Sequence, residues 1–355
     1  MSGLGEVAPV RPDERFDEAR LADYLRGRLP GADAPPAVLQ FPSGHSNLTY
    51  LLSYGAREYV LRRPPLGPLA PRAHDMGREY RVLSRLCEAF PPAPRAFLFC
   101  EDSSVIGAPF VILERRRGIV IRDAWPAELD ESEALRRRIS ESMIDTLAAL
   151  HRVDFAALGL ANLGKPLGFV RRQLEGWTDR WHRAKIEDLA ALDELVGWLD
   201  RTLPESGEVT LLHNDFKLDN VMLAPEDAGR VTSVFDWEMC TLGDPLIDLG
   251  ITLSYWTPAH EGPGARRRIT PTSFPGFLSR EEVIARYAKG TGLNVDRIDW
   301  YEAFALFKMA VVLQQIFIRW HRGQTKDDRF AGLGGQVPPL IERARQVFLQ
   351  GAPRS

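Results

Sequence analysis

Leu211–Gly250 reads LLHNDFKLDNVMLAPEDAGRVTSVFDWEMCTLGDPLIDLG, and this stretch decides how the rest of the chain is read. An apolar entry at Leu211 and Leu212 leads into a polar loop carrying His213, Asp215, Lys217 and Asn220, and an apolar exit follows through Val221, Met222 and Leu223. After a turn, a second β-like run from Val231 to Phe235 ends on Asp236. Two short runs of strand character therefore deliver Asp215, Asn220 and Asp236 toward one place.

Two carboxylates and an amide in that order suit phosphoryl transfer. The γ-phosphoryl group of ATP is already reactive, so a protein mainly aligns it, neutralises its charge with Mg²⁺ and orients the attacking hydroxyl. The order His-x-Asp-x-x-x-x-Asn, followed after a hairpin by Asp, serves both needs. Asp215 is the candidate to orient the acceptor hydroxyl or accept its proton. Asn220 and Asp236 carry the hard oxygen donors that Mg²⁺ requires.

His213–Asn220, HNDFKLDN, and Val234–Glu238, VFDWE, resemble the catalytic loop and metal-binding segment of the aminoglycoside phosphotransferase family. That family is a small-molecule branch of the protein-kinase-like fold. Within it, the chain is most similar to the kinase-like domain associated with acyl-CoA dehydrogenases, and the resemblance runs from about Val38 to Gln324. It implies an α+β, two-lobed fold. Residues 1–114 would form a nucleotide-covering lobe with an antiparallel sheet, and residues 115–355 a mostly helical lobe holding the catalytic loop and acceptor site.

The same resemblance assigns roles residue by residue. Lys217 matches a loop residue placed to meet the γ-phosphate, and Ser46 and Asn47 lie in the loop over the nucleotide phosphates. Arg62 stands where protein kinases carry the phosphate-binding Lys, and Glu79 matches its helix partner. Glu114 and Arg116 bracket the interlobe hinge, where adenine bonds to backbone. Asp248 is expected to support the catalytic-loop backbone, and Asp244 to cap a helix. ATP and Mg²⁺ are the implied cofactors, and a small molecule bearing a hydroxyl the implied acceptor. The dehydrogenase-associated branch suggests a hydroxy acid or a hydroxyacyl-CoA.

Three features depart from protein kinases. Arg62 is a planar fork where Lys is a point charge, Trp237-Glu238 replaces Phe-Gly after Asp236, and no activation-loop signature follows. Arg62 in place of Lys keeps a second reading open, a pseudokinase-like module that binds nucleotide or a metabolite without transfer. Strand alternation decides which of two adjacent arginines faces the nucleotide: if Val60 and Arg62 share a face, Arg63 points away.

Elsewhere the period is legible. An amphipathic helix is expected over residues 13–29, then strands at Val38–Phe41, Leu48–Ser53 and Glu58–Arg62, a helix His74–Ala89, and strands at Arg95–Cys100 and Pro109–Leu113. Helical spacing returns from Asp130 to His151 and over Phe169–Trp181, residues 186–203, Arg280–Lys289, Trp300–Trp320 and Pro338–Leu349. Thr257–Gly276 reads as a loop bordering the acceptor site, Glu261 included. Gly159–Pro166 mimics a P-loop but has Pro166 where Ser or Thr would hold Mg²⁺, and is rejected.

The 355 residues carry a formal net charge of −3, with 45% hydrophobic and 26% charged residues. This is a globular composition with no electrostatic case for nucleic acid or an anionic membrane. The N-terminus has no apolar signal region, no run is expected to reach the length of a membrane span, and the protein is expected in the cytoplasm. Cys87, Cys100 and Cys240 read as reduced thiols.

Overall fold

The computed structural model describes residues 7–42, 47–65, 75–122, 124–256, 271–325 and 327–351. A short helix α1 (Glu18–Leu25) precedes strands β1 (Ala37–Gln40), β2 (Leu48–Tyr54) and β3 (Arg57–Arg63). Helix α2 (Met76–Leu86) then leads to β4 (Ala96–Cys100) and β5 (Phe110–Glu114). These strands make one antiparallel sheet in the order β1-β2-β3-β5-β4. The expected first helix is shorter than its apolar pattern, because a 3-10 turn at Pro12–Glu14 takes up its start and Asp17 caps Arg20 N.

Strand β5 shows why its sequence is apolar throughout. Phe110 and Ile112 join Leu21, Leu25, Tyr50 and Leu61 in a small core under α1, while Val111 and Leu113 join the main core with Val82, Leu83 and Leu86 of α2. A strand buried on both faces has no polar alternation to display.

Beyond Glu114 the chain is mostly helical: α3 (Glu133–His151), α4 (Phe169–Ala184) and α5 (Ala190–Arg201) come first. Strand β6 (Thr210–Leu212), the hairpin β7 (Val221–Ala224) and β8 (Asp227–Val234), and β9 (Thr241–Gly243) follow. Then come α6 (Leu246–Tyr255), α7 (Arg280–Thr291), α8 (Ile298–His321) and α9 (Val337–Gly351). Helix α7 opens with a reciprocal capping box between Ser279 and Glu282, which satisfies two otherwise orphaned backbone donors.

Helix α8 corrects one expectation. It is 24 residues long with a mean hydropathy of 1.4 over its most apolar window, so a run long and apolar enough to cross a bilayer does exist. Of that window 61% is buried inside the protein, where Trp300, Phe304, Phe307 and Val311 pack against neighbouring helices. A helix surrounded by other helices needs no polar face, which is why it reads as apolar nearly all round.

Helices α6 and α8 touch closely at Gly250, where an added Cβ would meet the Tyr301 carbonyl oxygen at 2.5 Å. The contact brings α8 against the helix that carries Asp248. Gly250→Ala is expected to cost about 1–3 kcal/mol of stability, the usual scale of overpacking a tight core. A urea denaturation midpoint unchanged from wild type would contradict this contact.

Candidate active site

Strand β6 pairs antiparallel with β9 from Thr210↔Gly243 to Leu212↔Thr241, so the loop leaving β6 lies beside the segment after Asp236 that enters β9. Asp248, fully buried on α6, holds that loop. Its Oδ2 accepts from His213 N at 2.6 Å and its Oδ1 from Asn214 N at 2.7 Å. His151 Nε2 lies 3.2 Å from Oδ2, and His151 Nδ1 lies 2.6 Å from the Tyr287 hydroxyl, so α3 and α7 brace the same carboxylate. Burial alone would raise the Asp248 carboxyl, but the His151 bond and the nearby imidazole of His213 hold it below its ordinary value.

Asn214 sits in the left-handed region at φ 66°, and Asp236 at φ 67°; among the described residues they are the two non-glycine residues there. Asn214 is pinned on every side. Its N–H goes to Asp248, its carbonyl accepts from Lys308 Nζ at 3.2 Å, and its Nδ2 donates to Met239 O at 2.9 Å. His213 Nε2 donates to Phe235 O at 2.7 Å while Nδ1 accepts from Asp215 N at 3.3 Å, a pairing that selects the neutral Nε2–H tautomer. These bonds place Asp215 and Asp236 on adjoining segments.

At the loop, Asn220 Nδ2 donates to Asp215 Oδ2 and to Asp215 O, both at 2.9 Å. Lys217 Nζ lies 3.1 Å from Asp215 Oδ2 and 5.0 Å from the Tyr255 ring centroid. Burial opposes the Lys217 charge, yet the Asp215 carboxylate outweighs it and keeps the ammonium above its usual range. On the facing side, Arg62 bonds Glu79 through Nη1 and Asp236 Oδ1 through Nη2 at 3.1 Å. Burial works to raise the Asp236 carboxyl, and Arg62 overrides it to lower the pKa.

The alternation expected in β3 holds. Arg63 is turned to the other face, where it bonds Glu14 O at 2.7 Å, Ile106 O at 3.0 Å and the Tyr50 hydroxyl. Asn47 Nδ2 donates to Glu238 Oε2 at 2.7 Å, tying the loop between β1 and β2 to the segment after Asp236. Ser46, with the rest of 43–46, lies outside the described residues, as do 257–270 with Glu261.

Glu114 and Arg116 do not join the cluster through their side chains. Glu114 accepts from Arg95 N at 3.0 Å and pairs with Arg116 at 3.0 Å, and Arg116 also donates to Pro91 O at 3.1 Å. Both side chains brace the 91–95 segment. An open groove lined by Phe90, Arg138, Asp145, Arg230 and Arg286 contains none of the candidate residues, and its arginines are paired with Asp227, Glu226 and Asp145.

Asn220 and Asp236 suit a magnesium ion that arrives with phosphates. Asn220 directs its amide nitrogen at Asp215, which leaves Oδ1 as the donor on the other side, and Asp236 commits only Oδ1 to Arg62. Phe235 N donates to Asn220 O at 2.8 Å, so the two residues are neighbours. Mg²⁺ usually takes only one or two protein oxygens and completes its shell with phosphate and water.

Sequence reasoning missed the Arg62–Asp236 pair, the Asn47–Glu238 bond, the Tyr287–His151 bond behind Asp248, and the seat of Lys308 on Asn214. Each joins residues 94 to 191 positions apart, which no local spacing encodes; the two polar residues of VFDWE were the one available signal.

The profile of the phosphotransferase enzyme family matches residues 37–288. The chain belongs to that family. Acyl-CoA dehydrogenase family member 11 of Gallus gallus is 36% identical over 352 residues, spanning 96% of this chain and 44% of the relative. The Homo sapiens protein of that name is 34% identical and spans 98% of this chain and 45% of the relative. The chain thus spans under half the length of these curated relatives.

Among solved phosphotransferase structures, a Ralstonia eutropha protein provisionally named an aminoglycoside phosphotransferase superposes with a TM-score of 0.81 at 32% identity, covering 95% of this chain and 99% of the other. Phosphotransferase APH(4)-Ia, solved with AMP-PNP and hygromycin B, shares the fold at a TM-score of 0.58 and 17% identity, covering 94% of this chain and 99% of that one. The kinase-like fold class is therefore established, with an antiparallel sheet before Glu114 and a helical part after it.

Asp248→Asn tests the support beneath this family's loop. A carboxyl whose folded pKa is depressed stabilises the protein fully above its unfolded value, near ~3.9, and that contribution is lost as pH falls through the folded value. The variant is expected to be about 2–3 kcal/mol less stable at neutral pH. The gap should narrow below about pH 4, and parallel urea titrations across pH that show a constant gap would refute the assignment.

Proposed function

We propose that the protein is an ATP-dependent kinase that moves the γ-phosphoryl group to a hydroxyl of a small molecule, with a hydroxy acid or hydroxyacyl-CoA as acceptor, in the cytoplasm. The observation that carries this reading is the meeting of Asp215, Asn220 and Asp236 around His213, within a chain of the phosphotransferase enzyme family. The acceptor class is supported by the relatedness to acyl-CoA dehydrogenase family members across 96% of this chain.

In this reading Asp215 accepts or orients the acceptor proton, with Asn220 fixing the carboxylate. Lys217, 3.1 Å from Asp215, supplies positive charge near the transferring group. Asn220 and Asp236 hold Mg²⁺, which neutralises phosphate charge when bound. Asn47 and Ser46 cover the phosphates, and Glu79 orients Arg62 toward them. Residues 1–114 act as the nucleotide-covering lobe and 115–355 as the acceptor lobe, with backbone at Glu114–Arg116 facing adenine.

Asp215→Asn is expected to lower turnover by about 10²–10⁴, the scale of a positioned acid-base group; a variant with full rate of ADP release would remove Asp215 from the mechanism. Calorimetry on wild type should find Mg²⁺-dependent ATP binding that Asp236→Asn loses. No binding by wild type would overturn the kinase reading. The Arg62 bridge between Glu79 and Asp236 favours the second reading, a nucleotide-binding module without transfer; Mg²⁺-dependent binding with no ADP release across hydroxylated acceptors would select it.

A further inference from the structure

Lys308 bonds the catalytic loop directly, and the preceding roles give it no task. It projects from α8, a helix otherwise committed to the core, and is half-buried. Its Nζ donates to Asn214 O at 3.2 Å and lies 5.5 Å from the Trp177 ring centroid. Neither neighbour is an anion. No ion pair joins Lys308 to a carboxylate among the described residues, in contrast to Lys217 and Arg62.

A second cation shares the same aromatic ring. Arg180 lies 4.6 Å from the Trp177 centroid and is exposed, with its guanidinium on Gly176 O of its own helix. Lys217 lies over Tyr255 and 3.1 Å from Asp215. Two cations thus share one indole ring, and a third lies against Asp215. Burial holds the Lys308 ammonium below the usual lysine range despite the pull of Asp215 and Asp248, which marks a charge held without a full counter-ion. A lysine ammonium has three donors, and the Asn214 carbonyl takes one.

We infer that Lys308 is a specificity-determining residue of the acceptor site: it seats Asn214 ahead of Asp215 and uses its remaining N–H donors to bind an anionic group of the acceptor near the reacting hydroxyl. The inference rests on the kinase reading above and adds to it the residue that reads the acceptor's charge. A buried ammonium between a carbonyl and an indole face gains most from a carboxylate or other oxyanion, and repels a protonated amine. A polycationic acceptor is disfavoured by the same geometry.

The test is ADP release by the full chain with three acceptors of matched shape: 3-hydroxybutyrate, butane-1,3-diol and 4-aminobutan-2-ol. Wild type should favour the anion and reject the amine. Lys308→Met should raise KM for 3-hydroxybutyrate about ten- to a hundredfold, the scale of one charge-assisted hydrogen bond. The KM for the diol should move far less, and Lys308→Arg should restore the order. An equal loss on all three acceptors reports only the seat on Asn214 and overturns the specificity role. So does an anion preference that survives in Lys308→Met, or a wild type that binds Mg²⁺·ATP yet leaves 3-hydroxybutyrate untouched. Absence of Mg²⁺-dependent ATP binding by wild type instead overturns the kinase reading, so the two failures are distinguishable.

Discussion

One buried carboxylate organises the centre of this molecule. Asp248 takes the backbone N–H groups of His213 and Asn214, the entrance to the loop that carries Asp215, Lys217 and Asn220. Those two bonds, with Lys308 on the Asn214 carbonyl and Met239 O on its amide, hold Asn214 at positive φ and so set where Asp215 begins. A buried charge is costly unless fully partnered. The partners here come from α3 through His151, from α7 through Tyr287 behind it, and from the loop itself. The helical core exists, in this sense, to make a carboxylate tolerable at the place where it can hold strained backbone.

The sheet reaches the same centre through one face of β3. Arg62 extends from the sheet to Asp236, and Glu79 on α2 holds the guanidinium from behind. Arg78, next to Glu79, donates to Cys240 O at 3.0 Å, and Asn47 donates to Glu238 at 2.7 Å. These three contacts from the sheet region land on residues 236–240. A shift of that short segment is felt by both, so Asp236 at φ 67° is a junction as well as a candidate metal ligand.

Much of this was legible because the chemistry and the period agree. Asp215, Asn220 and Asp236 are delivered by β strands whose apolar runs are unmistakable, and the alternation of Val60, Arg62 and Arg63 places the two arginines on opposite faces. Apart from the first helix, which is half its expected length, the helix boundaries fell within a few residues, with capping groups such as Ser132 and Ser279 at the starts. Two things were hidden. Glu114 and Arg116 carry side chains that face the 91–95 turn, and hinge contacts made by backbone leave no mark on residue type. Lys308 sits in a run so apolar that its position on Asn214 depends on the packing of α8 against α6, which only the tertiary structure specifies.

The charges divide across the loop in a way that follows from these positions. On the Arg62 side, one guanidinium faces Glu79 and Asp236 and feels Glu238 as well, so carboxylates outnumber cations and a divalent metal would restore the balance. On the Lys308 side, Lys217 faces Asp215 at 3.1 Å and Asp219 at 3.9 Å, while Lys308 and Arg180 share the Trp177 ring. Asp215 lies between the two fields. The polarity is therefore built in by position: the Arg62 guanidinium answers to Glu79, Asp236 and Glu238, and the Lys217 ammonium to Asp215 and Asp219, with the loop between them.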